Sequence, residues 1–95
     1  MLLTIYAMTD PNGKQYVGAT PTTLERRWKR HLLKATYDKE HPLYEAMRNS
    51  NTNEWKIKAL EVTRDPEREI YWMEELNTLN EGYNTDKSIY GQFTK

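Results

Sequence analysis

Asp10-Pro11-Asn12-Gly13 stands between two short runs rich in aliphatic and aromatic residues, Leu2 to Met8 and Lys14 to Gly18. No other stretch constrains the fold as much. Pro interrupts a hydrogen-bond ladder and Gly supplies a positive φ without steric cost, so the chain reverses here and the flanking runs pair as a β-hairpin. A three-residue loop, Pro11 to Gly13, pairs Asp10 with Lys14. That register places Tyr6 and Tyr16 on one face, one diagonal step apart.

The remaining elements follow from start signals and periodicity. Thr20-Pro21 and the box Thr22-x-x-Glu25 predict a helix running to about Ala35, with Leu24, Trp28, Leu32 and Ala35 as its core stripe and Arg26, Arg30 and Lys34 away from it. His41-Pro42 opens a short second helix carrying Leu43, Tyr44 and Met47. Trp55 to Val62 alternates as a third strand, with Trp55, Ile57, Ala59 and Glu61 on one side and Lys56, Lys58, Leu60 and Val62 on the other. Asp65-Pro66-Glu67 starts a last helix, ending near Asn80 before Gly82. The polar tail from Asn84 to Lys95 carries no assignment. At 95 residues the chain is one domain, residues 1–95, and too short for two.

Charge narrows the function classes. Fourteen basic and fourteen acidic side chains cancel, so strong non-specific binding to nucleic acid or membranes is not expected of the whole molecule. The balance is uneven along the chain: ten Lys/Arg face six Asp/Glu before Glu61, and four face eight from there on. A basic surface is therefore compatible with zero net charge. Absence of Cys excludes disulfides, thiolate metal sites and Cys nucleophiles. The longest apolar stretch, Met1 to Met8, is too short to span a membrane and lacks the basic flank of a secretory signal, so a cytoplasmic protein without membrane partners is expected.

Glu69 breaks the pattern of an ordinary core. On the last helix, Trp72, Met73, Leu76 and Leu79 form one broad apolar arc, and Glu69 falls in its middle. An ionised carboxylate there needs compensation, from a buried ion pair, from rotation toward solvent, or from a divalent cation in a cleft. On the first helix, Arg27 and His31 are four residues apart on the shoulder of the apolar stripe, and Lys29, Arg30 and Lys34 extend the basic character outward. A solvated face explains such a run, and a guanidinium beside a cleft also suits phosphate oxygens.

These residues also form an ordered set. Thr4-Ile5-Tyr6, Tyr16-Val17-Gly18, Leu24 to His31, Arg68-Glu69-Ile70-Tyr71-Trp72 and Gly82-Tyr83-Asn84 together resemble the GIY-YIG nuclease family, above all the catalytic domains of phage intron-encoded homing endonucleases. The nuclease domain of the bacterial nucleotide-excision-repair incision protein is a more distant likeness. The resemblance spans Ile5 to Asn84. Thr4 replaces the first motif glycine and Val17 the isoleucine of the second.

The resemblance implies a compact α/β domain, with a three-stranded antiparallel sheet flanked by helices, that cleaves DNA phosphodiesters using one Mg²⁺ or Mn²⁺. Carried over by position, Tyr6 and Tyr16 are the motif tyrosines, Arg27 the phosphate-binding arginine, His31 its helper, Glu69 the metal ligand and Asn84 the supporting asparagine. Arg26, Lys29, Arg30, Lys34 and His41 are the expected DNA contacts. Either tyrosine is a candidate general base, and Gly18 is expected to bring the backbone close to substrate. With the basic helix as the main contact, DNA affinity is expected to be weak, salt-dependent and largely non-specific. Homing members join this domain to a separate DNA-binding region, so a targeting partner, a homodimer or a catalytic fragment is also expected. The competing reading is a non-catalytic nucleic-acid-binding or regulatory module on the same fold.

Overall fold

The computed structural model describes residues 1–87. Gly13 takes a φ of 90°, which its missing Cβ permits, and its N–H donates to the Asp10 carbonyl at 3.0 Å. Strand β1 (Leu3–Thr9) thus turns into β2 (Gln15–Thr20), with Tyr6 opposite Gly18 and Met8 opposite Tyr16. The register is the expected one, and Tyr6 and Tyr16 share a face.

Helix α1 (Leu24–Tyr37) begins one residue later than the Thr22 box predicts. The Thr22 hydroxyl is engaged by Thr20 at 2.8 Å, so Thr23 caps instead, accepting from the Arg26 N–H at 3.2 Å. The helix also runs two residues past Ala35. Its buried residues are His31 and Ala35, while Leu24, Trp28 and Leu32 are only half-buried. His31 therefore faces the sheet squarely, not from the shoulder of the stripe.

Helix α2 (Pro42–Arg48) forms where His41-Pro42 predicts it, and the His41 Nδ1 accepts from the Leu43 N–H at 3.1 Å. Arg48 ties the two helices together by donating to the carbonyls of Ala35 and Asp38, at 2.8 and 2.6 Å. A 3₁₀ turn at Thr52–Glu54 leads into β3 (Lys56–Thr63), which pairs antiparallel with β1. The sheet order is β2-β1-β3.

The even alternation expected of the third strand fails at one point. Tyr6 pairs with Ala59 but Ile5 with Glu61, so Leu60 is an extra residue, a β-bulge. Beyond it the side chains change faces. Glu61 leaves the side of Ile57 and Ala59 and meets the last helices, accepting from Arg68 Nε and Trp72 Nε1, both at 2.9 Å.

The predicted long last helix is two. Helix α3 (Arg68–Glu75) stops at Leu76, Asn77 adopts the left-handed conformation at φ 54°, and α4 (Thr78–Glu81) follows. Asn tolerates that region better than other residues with a Cβ, so the break costs little. It directs Gly82 onto the Gln15 carbonyl, where a Cβ would collide. Tyr83 then donates its backbone N–H to Gln15 O at 2.8 Å.

Helices cover both faces of the sheet. Tyr6, Met8 and Tyr16 pack with Ala35, Leu43, Tyr44 and Met47 from α1 and α2. On the opposite face Ile5, Val17 and Ala19 pack with Met73 of α3 and, at the margin, Leu60, Trp72, Leu76 and Leu79. Each fully buried side chain of this size stabilises the fold by roughly 1.5–3 kcal/mol. The residues from Ser88 on, which include most of the unassigned polar tail, lie outside the described residues.

Candidate active site

A chain of hydrogen bonds runs through the face of the sheet covered by α1 and α2. Arg27 donates from Nε to the Tyr6 hydroxyl at 2.9 Å. The same hydroxyl lies 2.7 Å from His31 Nε2, and His31 Nδ1 lies 2.9 Å from the hydroxyl of Tyr44. Tyr6 and His31 are wholly buried and Tyr44 nearly so. The i, i+4 spacing of Arg27 and His31 lets one helix grip Tyr6 from two sides.

Gly18 makes room for this arrangement. A Cβ at Gly18 would overlap the Tyr6 hydroxyl and lie 2.6 Å from Tyr6 Cζ. The glycine thus admits the ring of Tyr6, a neighbour within the protein. Tyr16 lies beside it, half-buried, with its ring edge-on to His31 at 5.8 Å and to His41 at 6.0 Å.

Electrostatics sets the resting protonation. Burial pushes Tyr6 up to about 12, although Arg27 pulls the other way, and Tyr16 is also driven up by burial and then by Tyr6. His31 falls to about 3, because burial and the nearby charges of Arg27, Lys34 and His41 oppose a second proton. Both phenols and the imidazole are neutral at pH 7. The carboxylate of Glu69 raises the pKa of both Tyr6 and Tyr16, while Arg27 lowers both. The acid of α3 and the cation of α1 thus act on the same two phenols. Glu69 is 7% exposed, buried yet not wholly sealed.

The other predicted residues divide. Arg26, Arg27, Lys29 and Arg30 line a groove of about 590 Å³ with Thr20, Pro21, Thr22 and Leu33. Lys29 is shared with Glu25 at 3.3 Å in an exposed pair worth little. Lys34 leaves this group and sits over the Tyr44 ring, 5.7 Å from its centre. His41 is brought to the site through its ring contacts with Tyr16 and Tyr44, the latter at 5.6 Å. Thr4, the replacement for the first motif glycine, is half-buried in β1 opposite Thr20.

Asn84 anchors the strand that carries Tyr16. Its Oδ1 accepts from the Val17 N–H at 2.8 Å and its Nδ2 donates to the Val17 carbonyl at 2.9 Å. Both ends of the amide serve the backbone next to Tyr16, so Asn84 positions β2. Two residues at the site had no sequence signal of their own. Tyr44 read as packing on a short helix, and Asp86, whose charge reaches Tyr16 and His41, lies in the unassigned tail.

Among the described residues, no group of three or more His, Asp or Glu is arranged to hold an ion. A cation that demands an all-protein cage does not fit. A single carboxylate does fit Mg²⁺ or Mn²⁺, hard ions that keep several waters and take further oxygens from a phosphate.

Comparison with known proteins agrees with this fold. No curated protein matches the chain. Two solved structures do. One is a point mutant of the catalytic domain of intron endonuclease I-TevI, 28% identical with a TM-score of 0.80, covering 96% of this chain and all of that one. The other is the catalytic domain of homing endonuclease I-TevI, 29% identical with a TM-score of 0.73, covering 88% of this chain and 98% of that one. The family model of the GIY-YIG catalytic domain matches residues 3–84, and the chain belongs to that family.

Proposed function

We propose that this nuclease domain is an endonuclease that hydrolyses DNA phosphodiester bonds with one Mg²⁺ or Mn²⁺ held by Glu69, and with little sequence preference of its own. The observation that carries the reading is that Arg27 joins the buried Tyr6–His31 pair to the basic groove, while the charge of Glu69 reaches Tyr6 and Tyr16. Arg27 spends its Nε on Tyr6, and a guanidinium carries four further N–H donors on its terminal nitrogens. They are suited to the oxygens of a scissile phosphate at the end of the basic groove.

Tyr6 is the better placed phenol to hold the attacking water, because Arg27 and His31 fix its oxygen from two directions. Its proton affinity is too high for it to be ionised at rest, so it orients the water and takes the water's proton only while handing its own hydrogen to His31 Nε2, as negative charge moves onto the phosphate. Arg27 stabilises that charge at a fixed distance and needs no reorganisation to do so. The bound cation would supply Lewis-acid stabilisation of the phosphate oxygens and leaving group. Arg26, Lys29 and Arg30 extend the phosphate contact along α1 and carry no base readout.

Supercoiled plasmid incubated with the purified protein and Mg²⁺ tests this. Wild type converts it to nicked or linear DNA, EDTA abolishes conversion, and Glu69→Ala and Arg27→Ala each lower the rate by about 100-fold or more. Cleavage that survives EDTA, or equal rates in wild type and Glu69→Ala, overturns the proposal.

A further inference from the structure

The polarity of the buried hydrogen-bond chain is set at its two ends, by Arg27 and by Tyr44, the latter outside the family motifs. Arg27 can only donate, so the Tyr6 oxygen accepts from it. Two arrangements then complete the chain. In the first, Tyr6 donates to His31 Nε2, and Nδ1–H donates to Tyr44. In the second, Tyr44 donates to Nδ1, Nε2–H donates to Tyr6, and the hydrogen of Tyr6 is left to point elsewhere. The first turns the negative ends of the dipoles toward the guanidinium. The second aims an imidazole N–H at the oxygen that Arg27 already contacts, placing like ends together beside a fixed charge.

We infer that Tyr44 is a positioning residue: its hydroxyl accepts the His31 Nδ1 proton, leaves Nε2 bare to take the Tyr6 hydrogen, and so turns the Tyr6 oxygen, as an acceptor, toward Arg27. The inference rests on the proposed nuclease reading for its consequence, since an acceptor can hold a water by its hydrogen and a donor cannot. His31 and Tyr44 lie at 2.9 Å, the imidazole wholly buried and the ring of Tyr44 nearly so, so no outside water replaces Tyr44 readily. The groups facing His31 are Arg27 and Lys34 on α1, Tyr6 on β1, Tyr16 on β2, and His41 and Tyr44 at α2. Of these, Tyr44 alone is hydrogen-bonded to Nδ1.

Tyr44→Phe keeps the ring and removes the acceptor. Long-range ¹H–¹⁵N spectra of the full chain without DNA report which ring nitrogen of His31 carries the proton. Nδ1–H in wild type and Nε2–H in Tyr44→Phe are expected, with kcat for plasmid cleavage lowered about 10-fold or more and KM little changed. Nε2–H in wild type, an unmoved tautomer in the variant, or a moved tautomer with unchanged kcat overturns the inference. Because the tautomer is read without DNA, a protein that cuts nothing refutes the nuclease reading and leaves the Tyr44 assignment to the spectra.

Discussion

Tyr6 shows how closely single residues are matched at this site. Its ring lies where a side chain on Gly18 would be, and its hydroxyl is shared by Arg27 and His31. Gly18→Ala must push that ring aside, and overpacking of this kind costs roughly 1–3 kcal/mol. Urea unfolding is expected to show the loss, and plasmid cleavage to fall further than the lost stability explains, because the hydroxyl moves off its two partners. Unchanged stability in Gly18→Ala would mean that the ring is free to move. At this scale the sequence was legible where chemistry clashed with periodicity. Glu69 in an apolar arc announced itself, and it is buried. Tyr44 did not, because an aromatic on a short helix is indistinguishable from packing until its hydroxyl is seen 2.9 Å from His31.

Elements were legible in kind and less so in detail. Turn chemistry and caps located both hairpin strands and the starts of α1 and α2. The bulge at Leu60 was not read, although the apolar phase slips there, with Glu61 falling on the side of Ile57 and Ala59 and with Leu60 and Val62 on that of the lysines; pairing with β1 shows the extra residue. Nor was the break at Asn77, where the downstream contacts of Gly82 with β2 outweigh a continuous apolar arc. Those contacts matter because β2 is an edge strand. Tyr83 covers Gln15 and the amide of Asn84 covers both polar groups of Val17. Asn84→Ala strips two buried hydrogen bonds and leaves the Val17 N–H and C=O unpaired, at a cost of about 2–3 kcal/mol. Amide exchange at Val17 is expected to accelerate well beyond that of β1 residues; exchange like that of wild type would contradict the role assigned to Asn84.

The whole molecule should feel acid through its buried imidazole. His31 stays neutral down to about 3, whereas an unfolded histidine protonates near ~6.5. Between those values the unfolded chain binds a proton that the native one refuses. Stability is therefore full above about pH 6.5 and falls with acidification, by roughly 2 kcal/mol between pH 7 and pH 5. His41, also lowered mainly by burial, adds a smaller effect of the same sign. Urea titrations at the two pH values check this, and His31→Gln should flatten most of the difference; an equal slope in that variant would assign it elsewhere. The uneven charge along the chain has a counterpart in space, since Arg26, Arg27, Lys29 and Arg30 share one groove wall in a molecule of zero net charge. The clamp of Gly82 to Asn84 on β2 also has a mechanical side. Tension applied from beyond residue 87 meets the exposed Lys87–Glu74 pair and is then borne by Val17. The strand that carries Tyr16 would thus register a tug on any cargo fused there.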